Sequence, residues 1–183
     1  MKAKKFNLCL AALAATACFF TCLLAPLVAP GRAEATTPFL AEKAVQFLDQ
    51  DYTKSGIVNS VAGVGSYASY VLIQAGVDAG TWVHDGVSLK DALISTVKED
   101  ISNADKVPAK CLAQDLAAMK ALGQTGLADQ LVLLLKNRQS SKGFEDTGPL
   151  SIYSNVPAFE ILSRAGLIDR LNPGLAKDYI LEN

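Results

Sequence analysis

The sequence predicts an all-α fold of about seven helices arranged as repeated hairpins. Three apolar, helix-patterned segments each end at a glycine, and these glycines, Gly76, Gly123 and Gly166, lie 47 and 43 residues apart. Glycine is common just after a helix because it adopts the left-handed backbone conformation without steric cost. A helix end that recurs at such an interval is typical of stacked helical hairpins. No convincing pair of strands is found, so a sheet is not expected.

The first two predicted helices lie between clear start and stop signals. Thr37 caps the first helix, Pro38 occupies its first position, and the helix extends to about Gln50. Its predicted apolar face consists of Leu40, Ala44, Phe47 and Leu48. The second helix covers residues 66–75. Its apolar residues 67–73 could also form a strand, but the glycine stop and the helical neighbours favour a helix.

The third predicted helix follows a turn at Asp85 and Gly86 and extends to about Ser102. Ser88 and Asp91 form a predicted capping box at its start. In such a box the serine oxygen accepts one backbone N–H and the acid, three residues later, accepts the other.

Four further helices are predicted in the second half of the chain. They begin near Pro108, Leu127, Asn155 and Pro173. The helix after Pro108 contains small residues that would let neighbouring helices approach closely, namely Ala109, Ala113, Ala117, Ala118 and Ala121. We therefore expect this helix to lie inside the array.

The amino-terminal residues 1–35 are predicted to be a signal peptide. A basic start with Lys2, Lys4 and Lys5 precedes the apolar run of residues 8–29, and residues 33–35 form an Ala-Glu-Ala cleavage site. The apolar run is long enough for an uncleaved membrane anchor, but prolines before the site favour cleavage. Residues 36–183 then form one domain that is secreted or displayed at the cell surface.

Composition narrows the possible partners of this domain. The whole chain has a formal net charge of −1, and removal of four basic residues and one acidic residue with the leader leaves −4. A mildly acidic domain is a poor partner for nucleic acid, and contact with a membrane is expected only through the N-terminal segment. Cys111 is the single cysteine outside the leader, so no internal disulfide is possible, and we expect it to be a small buried residue.

Two parts of the chain align with each other as units. The first contains the loop Lys54-Ser55-Gly56 and the second contains Ser141-Lys142-Gly143, each after a helix and before another. The second unit carries Gln139, Gly143 and Phe144, a glutamine-x-x-x-glycine-aromatic turn. This pattern resembles the α/α-toroid superfamily of squalene cyclases and protein prenyltransferase β-subunits, and most of all its non-catalytic, exported bacterial members.

The resemblance covers most of residues 39–183 and is specific in residues 134–181. It implies a partial α/α toroid in which Gln139 ties the turn to a helix end and Phe144 packs between helix layers. The tryptophan that is usual at this turn in the family is absent here.

The catalytic motifs of that superfamily are absent from this sequence. The Asp-x-Asp-Asp motif of the cyclases is absent, and Asp49-Gln50-Asp51 lacks the final acid. The prenyltransferase zinc ligands are not matched either, because His84, Cys111 and Asp115 do not have the family's spacing. Adjacent acids at residues 99–100 and 145–146 are typical of solvated surfaces. The sequence therefore favours a protein without catalytic activity, cofactor or metal.

Aromatic residues are the candidate ligand-binding residues. They are Trp82, Tyr67, Tyr70, Phe144 and Tyr153. Trp82 alone could simply anchor its loop, but together the five could form an aromatic wall for a ligand.

The function predicted from these observations is an exported binding or structural module. Its expected partner is a small apolar ligand or a cell-surface protein. The alternative is a degenerate or fragmentary terpenoid cyclase or prenyltransferase relative. Because seven helices make about half of a closed toroid, an open edge would favour association with a second copy of the chain.

Overall fold

The fold was analysed in a computed structural model that describes residues 37–58, 64–144 and 152–182. The predicted signal peptide, the acidic pair at residues 145–146 and the side chain of Leu40 lie outside the described residues. Residues 43–183 form one compact unit, to which the packing described below belongs.

The described part of the chain contains seven α-helices, which confirms the all-α prediction. They are α1 (Thr37–Ser55), α2 (Ser66–Gln74), α3 (Leu89–Ser102), α4 (Ala109–Ala121), α5 (Thr125–Arg138), α6 (Ile152–Arg164) and α7 (Pro173–Glu182). A short 3₁₀ helix, Ile168–Arg170, precedes α7. None of the described helices is both long and apolar enough to cross a bilayer.

The three glycine stops are confirmed and share one geometry. Gly76, Gly123 and Gly166 have φ angles of +87°, +69° and +63°. Each glycine N–H donates to the carbonyl three residues back, at 2.9–3.0 Å, and the next N–H donates to the carbonyl five residues back, at 2.8–3.0 Å. This double closure is the Schellman motif, which satisfies the last carbonyls of a helix. Local sequence therefore fixes the ends of α2, α4 and α6.

A short β-hairpin between α2 and α3 was not predicted. Strands β1 (Val83–His84) and β2 (Val87–Ser88) pair antiparallel, with His84 opposite Val87. Asp85 and Gly86 connect them with φ angles of +47° and +81°. Positive φ at both central residues is the type I′ turn, which Asp-Gly favours and which suits the twist of paired strands. The strands escaped detection because two residues are too few to show alternation.

The start of α3 confirms half of the predicted capping box. Ser88 Oγ accepts the backbone N–H of Asp91 at 3.1 Å. The expected return bond from the acid to the backbone is wrong, because Asp91 Oδ2 accepts the hydroxyl of Ser88 instead, at 2.7 Å.

The first helix differs from the prediction in length and in its packed face. It continues past Gln50 to Ser55. Phe47 is 67% exposed and Ala44 is also exposed, whereas Tyr52 is buried and Val45 and Leu48 are partly buried. The packed positions 45, 48 and 52 follow helical spacing, so Leu48 of the predicted face is confirmed, whereas the placement of Ala44 and Phe47 on it is wrong. The start of α6 is also earlier than expected, at Ile152, and Pro157 lies inside the helix.

Two layers of helices account for the packing. In the first layer α4 lies between α2 and α6, and in the second layer α3 and α5 pack on α4 and on each other. The N-terminal ends of α4 and α6 are close, since the Lys110 N–H donates to Ser154 Oγ at 3.3 Å. As predicted, α4 is an inner helix: Ala109, Ala113, Ala117 and Ala118 are completely buried. Their small side chains allow helices to approach on both sides.

Candidate functional site

A cleft crosses the C-terminal ends of α2, α4 and α6. Its volume is about 480 Å³, within the range of small-molecule sites. It is lined by Tyr70, Gln74, Ala117, Lys120, Ala121, Arg164, Ala165 and Gly166. All three helices reach the cleft at the end closed by a glycine stop, so the repeated punctuation of the sequence brings these residues together.

Two side chains bridge the helices around the cleft. The Tyr70 hydroxyl, from α2, donates to the Arg164 carbonyl at the end of α6, at 3.4 Å. From α4, Lys120 Nζ donates to the Ala165 carbonyl at 3.0 Å. On the α4 side the lining residues are Ala117, which is completely buried, and Ala121, which is half-buried, so a larger side chain at position 121 would fill space in the cleft. The cleft thus has a small floor on α4 and polar walls from the three helix ends.

Charge at the cleft is mainly positive. Lys120 is exposed, and the side chain of Arg164 is 64% exposed. Arg164 Nε donates to Glu160 Oε1 at 2.9 Å, an exposed pair one helical turn apart. One positive charge is therefore paired within α6, and Lys120 contacts only a neutral carbonyl among the bonds of the described residues.

Of the five aromatic residues predicted to bind a ligand, Tyr70 lines the cleft and Tyr67 packs against Tyr70. Tyr70 is part of the cleft wall, and its ring stacks on Tyr67 with centroids 6.0 Å apart. Tyr153, on α6, is 71% exposed. The structure therefore brings together Tyr67 and Tyr70, and the ligand-binding role of all five residues stays a prediction.

Trp82 and Phe144 belong to the hydrophobic core. Phe144 is completely buried and Trp82 is 7% exposed. The Phe144 ring lies 4.6 Å from that of Phe159, which in turn lies 5.7 Å from that of Tyr179. This chain of rings joins the turn before α6 to α6 and α7, so Phe144 packs between helices.

The side chain of Gln139 ties its turn to the start of α7. Its amide Nε2 donates to the Asn172 carbonyl at 2.8 Å, and its Oε1 accepts the Asn172 N–H at 2.8 Å. A glutamine holding a turn to a helix end is the contact that the family resemblance implies at this position. A shallow depression of about 470 Å³ lies beside it, lined by Lys136, Gln139, Leu171, Asn172, Pro173 and Leu175.

The possible metal ligands of the sequence do not meet. His84 lies in the hairpin, where its Nδ1 is 2.9 Å from the Thr53 carbonyl and its Nε2 is 3.4 Å from Asp85 Oδ2. Asp115 lies inside α4 and accepts the Ser66 hydroxyl at 2.6 Å. Among the residues that the structure describes, no group of three or more His, Cys, Asp or Glu side chains could hold a metal ion. Cys111, expected to be buried, is half-buried.

A carboxyl pair between α3 and α4 was missed by sequence reasoning. Asp100, expected in a solvated acidic pair, is half-buried and shares a side-chain hydrogen bond with Asp115. Burial raises the pKa of Asp100, the bond to Asp115 lowers it, and the charge of Glu99 raises it, with a net upward shift. Two hydrogen-bonded carboxyls must share a proton. Because Asp115 is only 1% exposed, a substrate has no direct access to its carboxyl group.

Lys120, Arg164 and Gln74 were also missed as site residues. Their signal was present, because each lies within three residues of a glycine stop. Only the parallel packing of α2, α4 and α6 shows that the three stops share one end.

Searches against family models, curated proteins and solved structures find no match to this chain.

Proposed function

We propose that the chain is an exported, non-catalytic binding module with an α/α-toroid-like array of helical hairpins, and that it binds its ligand in the cleft at the ends of α2, α4 and α6. The observation that carries this proposal is the cleft itself. Three helices end there in the same way and leave a space of about 480 Å³ bounded by Tyr70, Lys120 and Arg164.

Support for the array comes from the order of the helices. The alternation between an inner layer of α2, α4 and α6 and an outer layer of α3 and α5 is what stacked hairpins produce. Gln139 forms two hydrogen bonds to Asn172, and the ring of Phe144 is buried. Both features match the roles that the family resemblance implies.

Support for binding comes from the chemistry of the cleft. Its lining is more polar than apolar: the walls carry a phenol, an amide and two cations, and the half-buried Ala121 lies on the α4 side. Polar groups that converge on a concave site fix the orientation of a ligand.

Binding can be tested by nuclear magnetic resonance with ¹⁵N-labelled protein and a fragment library balanced between anionic, neutral and cationic compounds. We expect the amide signals that shift to cluster at Gly76, Gly123 and Gly166. Ala121→Leu should abolish these shifts, because the larger side chain fills the half-buried floor. The matched control is Ala44→Leu on the exposed face of α1. Hits scattered over the surface, or none at all, would contradict the proposal.

Export can be tested by the mass of the mature protein. Expression with the native N-terminal segment should yield a product that begins after Ala35. Retention of residues 1–35 would instead support the uncleaved anchor. Detection of isoprenoid turnover by the purified protein would contradict a non-catalytic role and favour a terpenoid cyclase or prenyltransferase relative.

Association with a second copy is part of the proposal for the array. Exposed apolar side chains on α6 and α7, among them Tyr153, Ile180 and Leu181, support it. Light scattering of the mature protein should give the mass of a dimer, whereas a monomer would show that these helices need no partner.

A further inference from the structure

The charge and hydrogen-bonding capacity of the cleft identify a class of ligand. This inference rests on the proposed binding role of the cleft. We infer that the cleft binds a carboxylate group, held by Lys120 and Arg164, on a small ligand whose body lies over Ala121 beside Tyr70.

The cleft offers hydrogen-bond donors and few hydrogen-bond acceptors. The two carbonyls at the end of α6 are already used, because Arg164 O accepts from Tyr70 and Ala165 O accepts from Lys120. The carbonyls of the last turns of α2, α4 and α6 accept the bonds of the glycine stops. The N–H groups that remain outnumber the acceptor oxygens of Gln74 and Tyr70, since an ammonium has three N–H groups and a guanidinium has five, and each uses one in the bonds above. A ligand group that fits must accept hydrogen bonds.

The net positive charge of the cleft is small. The pair with Glu160 offsets one of the two cations, so the cleft has about one positive charge left over. The C-terminal ends of three helices carry partial negative charge, which offsets this positive charge, and the glycine stops together with the bonds from Tyr70 and Lys120 satisfy several of their carbonyls. A dianionic phosphate would therefore meet too little positive charge, and a carboxylate, with a single negative charge, should bind weakly. A planar carboxylate also suits the planar guanidinium of an arginine, which binds it with two parallel N–H groups.

The volume of the cleft limits the size of the ligand. The half-buried Ala121 lies on the α4 side of the cleft, and the stacked rings of Tyr67 and Tyr70 support one wall. A volume of about 480 Å³ accommodates a body of the size of a short peptide end or a small organic acid. Both sources share the carboxylate, and the test separates them.

The test compares matched probes by ¹⁵N chemical-shift titration of the mature protein. The probes are N-acetyl-alanyl-alanine, its C-terminal amide, butyrate and inorganic phosphate. We expect the peptide acid to shift the amides of Gly123 and Gly166 with a Kd on the order of 1 mM, and the amide form to bind at least about tenfold more weakly. Butyrate binding as tightly as the peptide acid would identify a simple organic acid as the ligand type, while weaker butyrate binding would identify a peptide end.

Variants locate the carboxylate. Lys120→Gln and Arg164→Gln should each weaken binding of the peptide acid about tenfold, the effect of losing one charge-assisted contact. Lys120→Arg should restore it, because it keeps the charge and the donors. The control is Lys98→Gln, an exposed position on α3, which should leave the affinity unchanged. Thermal unfolding of each variant shows whether loss of binding reflects loss of folding, and the Lys120→Arg result decides the matter if Lys120→Gln is unstable.

Four outcomes would overturn the inference. These are equal binding of the acid and the amide at the cleft, tighter binding of phosphate, retained binding in both glutamine variants, and absence of binding by every probe. Equal binding at the cleft would leave the proposed function intact and refute only the carboxylate. If no probe binds, the carboxylate is refuted as well, and the fragment library then decides whether the cleft binds anything.

Discussion

Two glycine loops, one in each half of the protein, both place a glycine at positive φ and surround it with different side chains. The loop after α1 has Gly56 at φ +65°, and the loop after α5 has Gly143 at φ +94°. In each, the residue four positions before the glycine bonds to a segment that leads into a later helix. Tyr52 reaches the Val87 carbonyl, before α3, and Gln139 reaches Asn172, before α7.

The two loops differ in how firmly they are held. Gly143 lies against Asn155, which is 1% exposed and accepts the Phe144 N–H at 3.0 Å while its Nδ2 donates to the Tyr179 hydroxyl at 3.3 Å. Gly56 lies against the ring of His84, which is 28% exposed.

The residues that follow the glycines differ in the same way. Phe144 is completely buried, whereas Ile57 is 41% exposed. Both loops therefore combine a glycine at positive φ with a long side chain that forms a hydrogen bond, while the degree of burial decides how much each loop contributes to stability.

Gly143→Ala should have the largest effect. A methyl group there would overlap the Asn155 amide, which cannot move without losing two hydrogen bonds, and φ of +94° is strained for alanine. We expect a loss of about 3 kcal/mol in the free energy of unfolding, measured by urea denaturation. Gly126→Ala is the matched control, because Gly126 is an exposed helical residue with open space around it, and that change should be neutral or stabilising. Equal results for the two variants would contradict the comparison.

Asn155→Ala should cost about 2 kcal/mol, because it leaves the buried Phe144 N–H without its acceptor. It should also remove the group that a methyl at Gly143 would overlap. The double variant with Gly143→Ala is therefore expected to be more stable than the sum of the single effects by about 1 kcal/mol. Strict additivity in the urea experiment would show that strain at φ, and not the contact with Asn155, limits this position.

Gly56→Ala should cost about 2 kcal/mol or less, since the partly exposed His84 ring can turn away from the added methyl group. His84→Ala in the same protein should recover part of that loss. A Gly56→Ala effect larger than that of Gly143→Ala would reverse the ranking of the two loops.

The two ties can be compared directly by removing each one. Gln139→Ala loses two hydrogen bonds to Asn172 and should cost about 1.5 kcal/mol. Tyr52→Phe loses one bond to Val87 and should cost about 1 kcal/mol. Urea midpoints of both variants test this order, and a Tyr52→Phe protein less stable than Gln139→Ala would show that the first loop is the firmer one.

Alkaline pH should reduce the contribution of the loop after α1 to the stability of the protein. Burial, with a smaller contribution from the charge of Asp91, raises the pKa of Tyr52 above its usual value of 10.0. A raised folded-state pKa means that the contribution to stability is complete below the unfolded value and is lost as pH rises through the folded value. Above about pH 10 the natural protein should therefore lose stability more steeply than Tyr52→Phe in thermal unfolding. Parallel pH profiles would show that Tyr52 remains protonated or is exposed when ionised.

Much of the architecture could be predicted because its signals are local. The stops at Gly76, Gly123 and Gly166 depend only on the backbone of neighbouring residues, and the Ser88 cap depends on a spacing of three. The length of α1 and its packed face could not be predicted, since burial of Val45, Leu48 and Tyr52 depends on what lies across from them. The two-residue hairpin strands were too short to produce a pattern.

By itself, the sequence determined that this protein is helical, where most of its helices end, and which alanine-rich helix lies inside. Tertiary structure alone decided which aromatic side chains are core and which are exposed, and that Tyr70, Lys120 and Arg164 line one cleft. The physical reason is separation along the chain: a cap or a glycine stop acts within a few residues, whereas Tyr70 and Arg164 are 94 positions apart and meet only because both helices pack on α4.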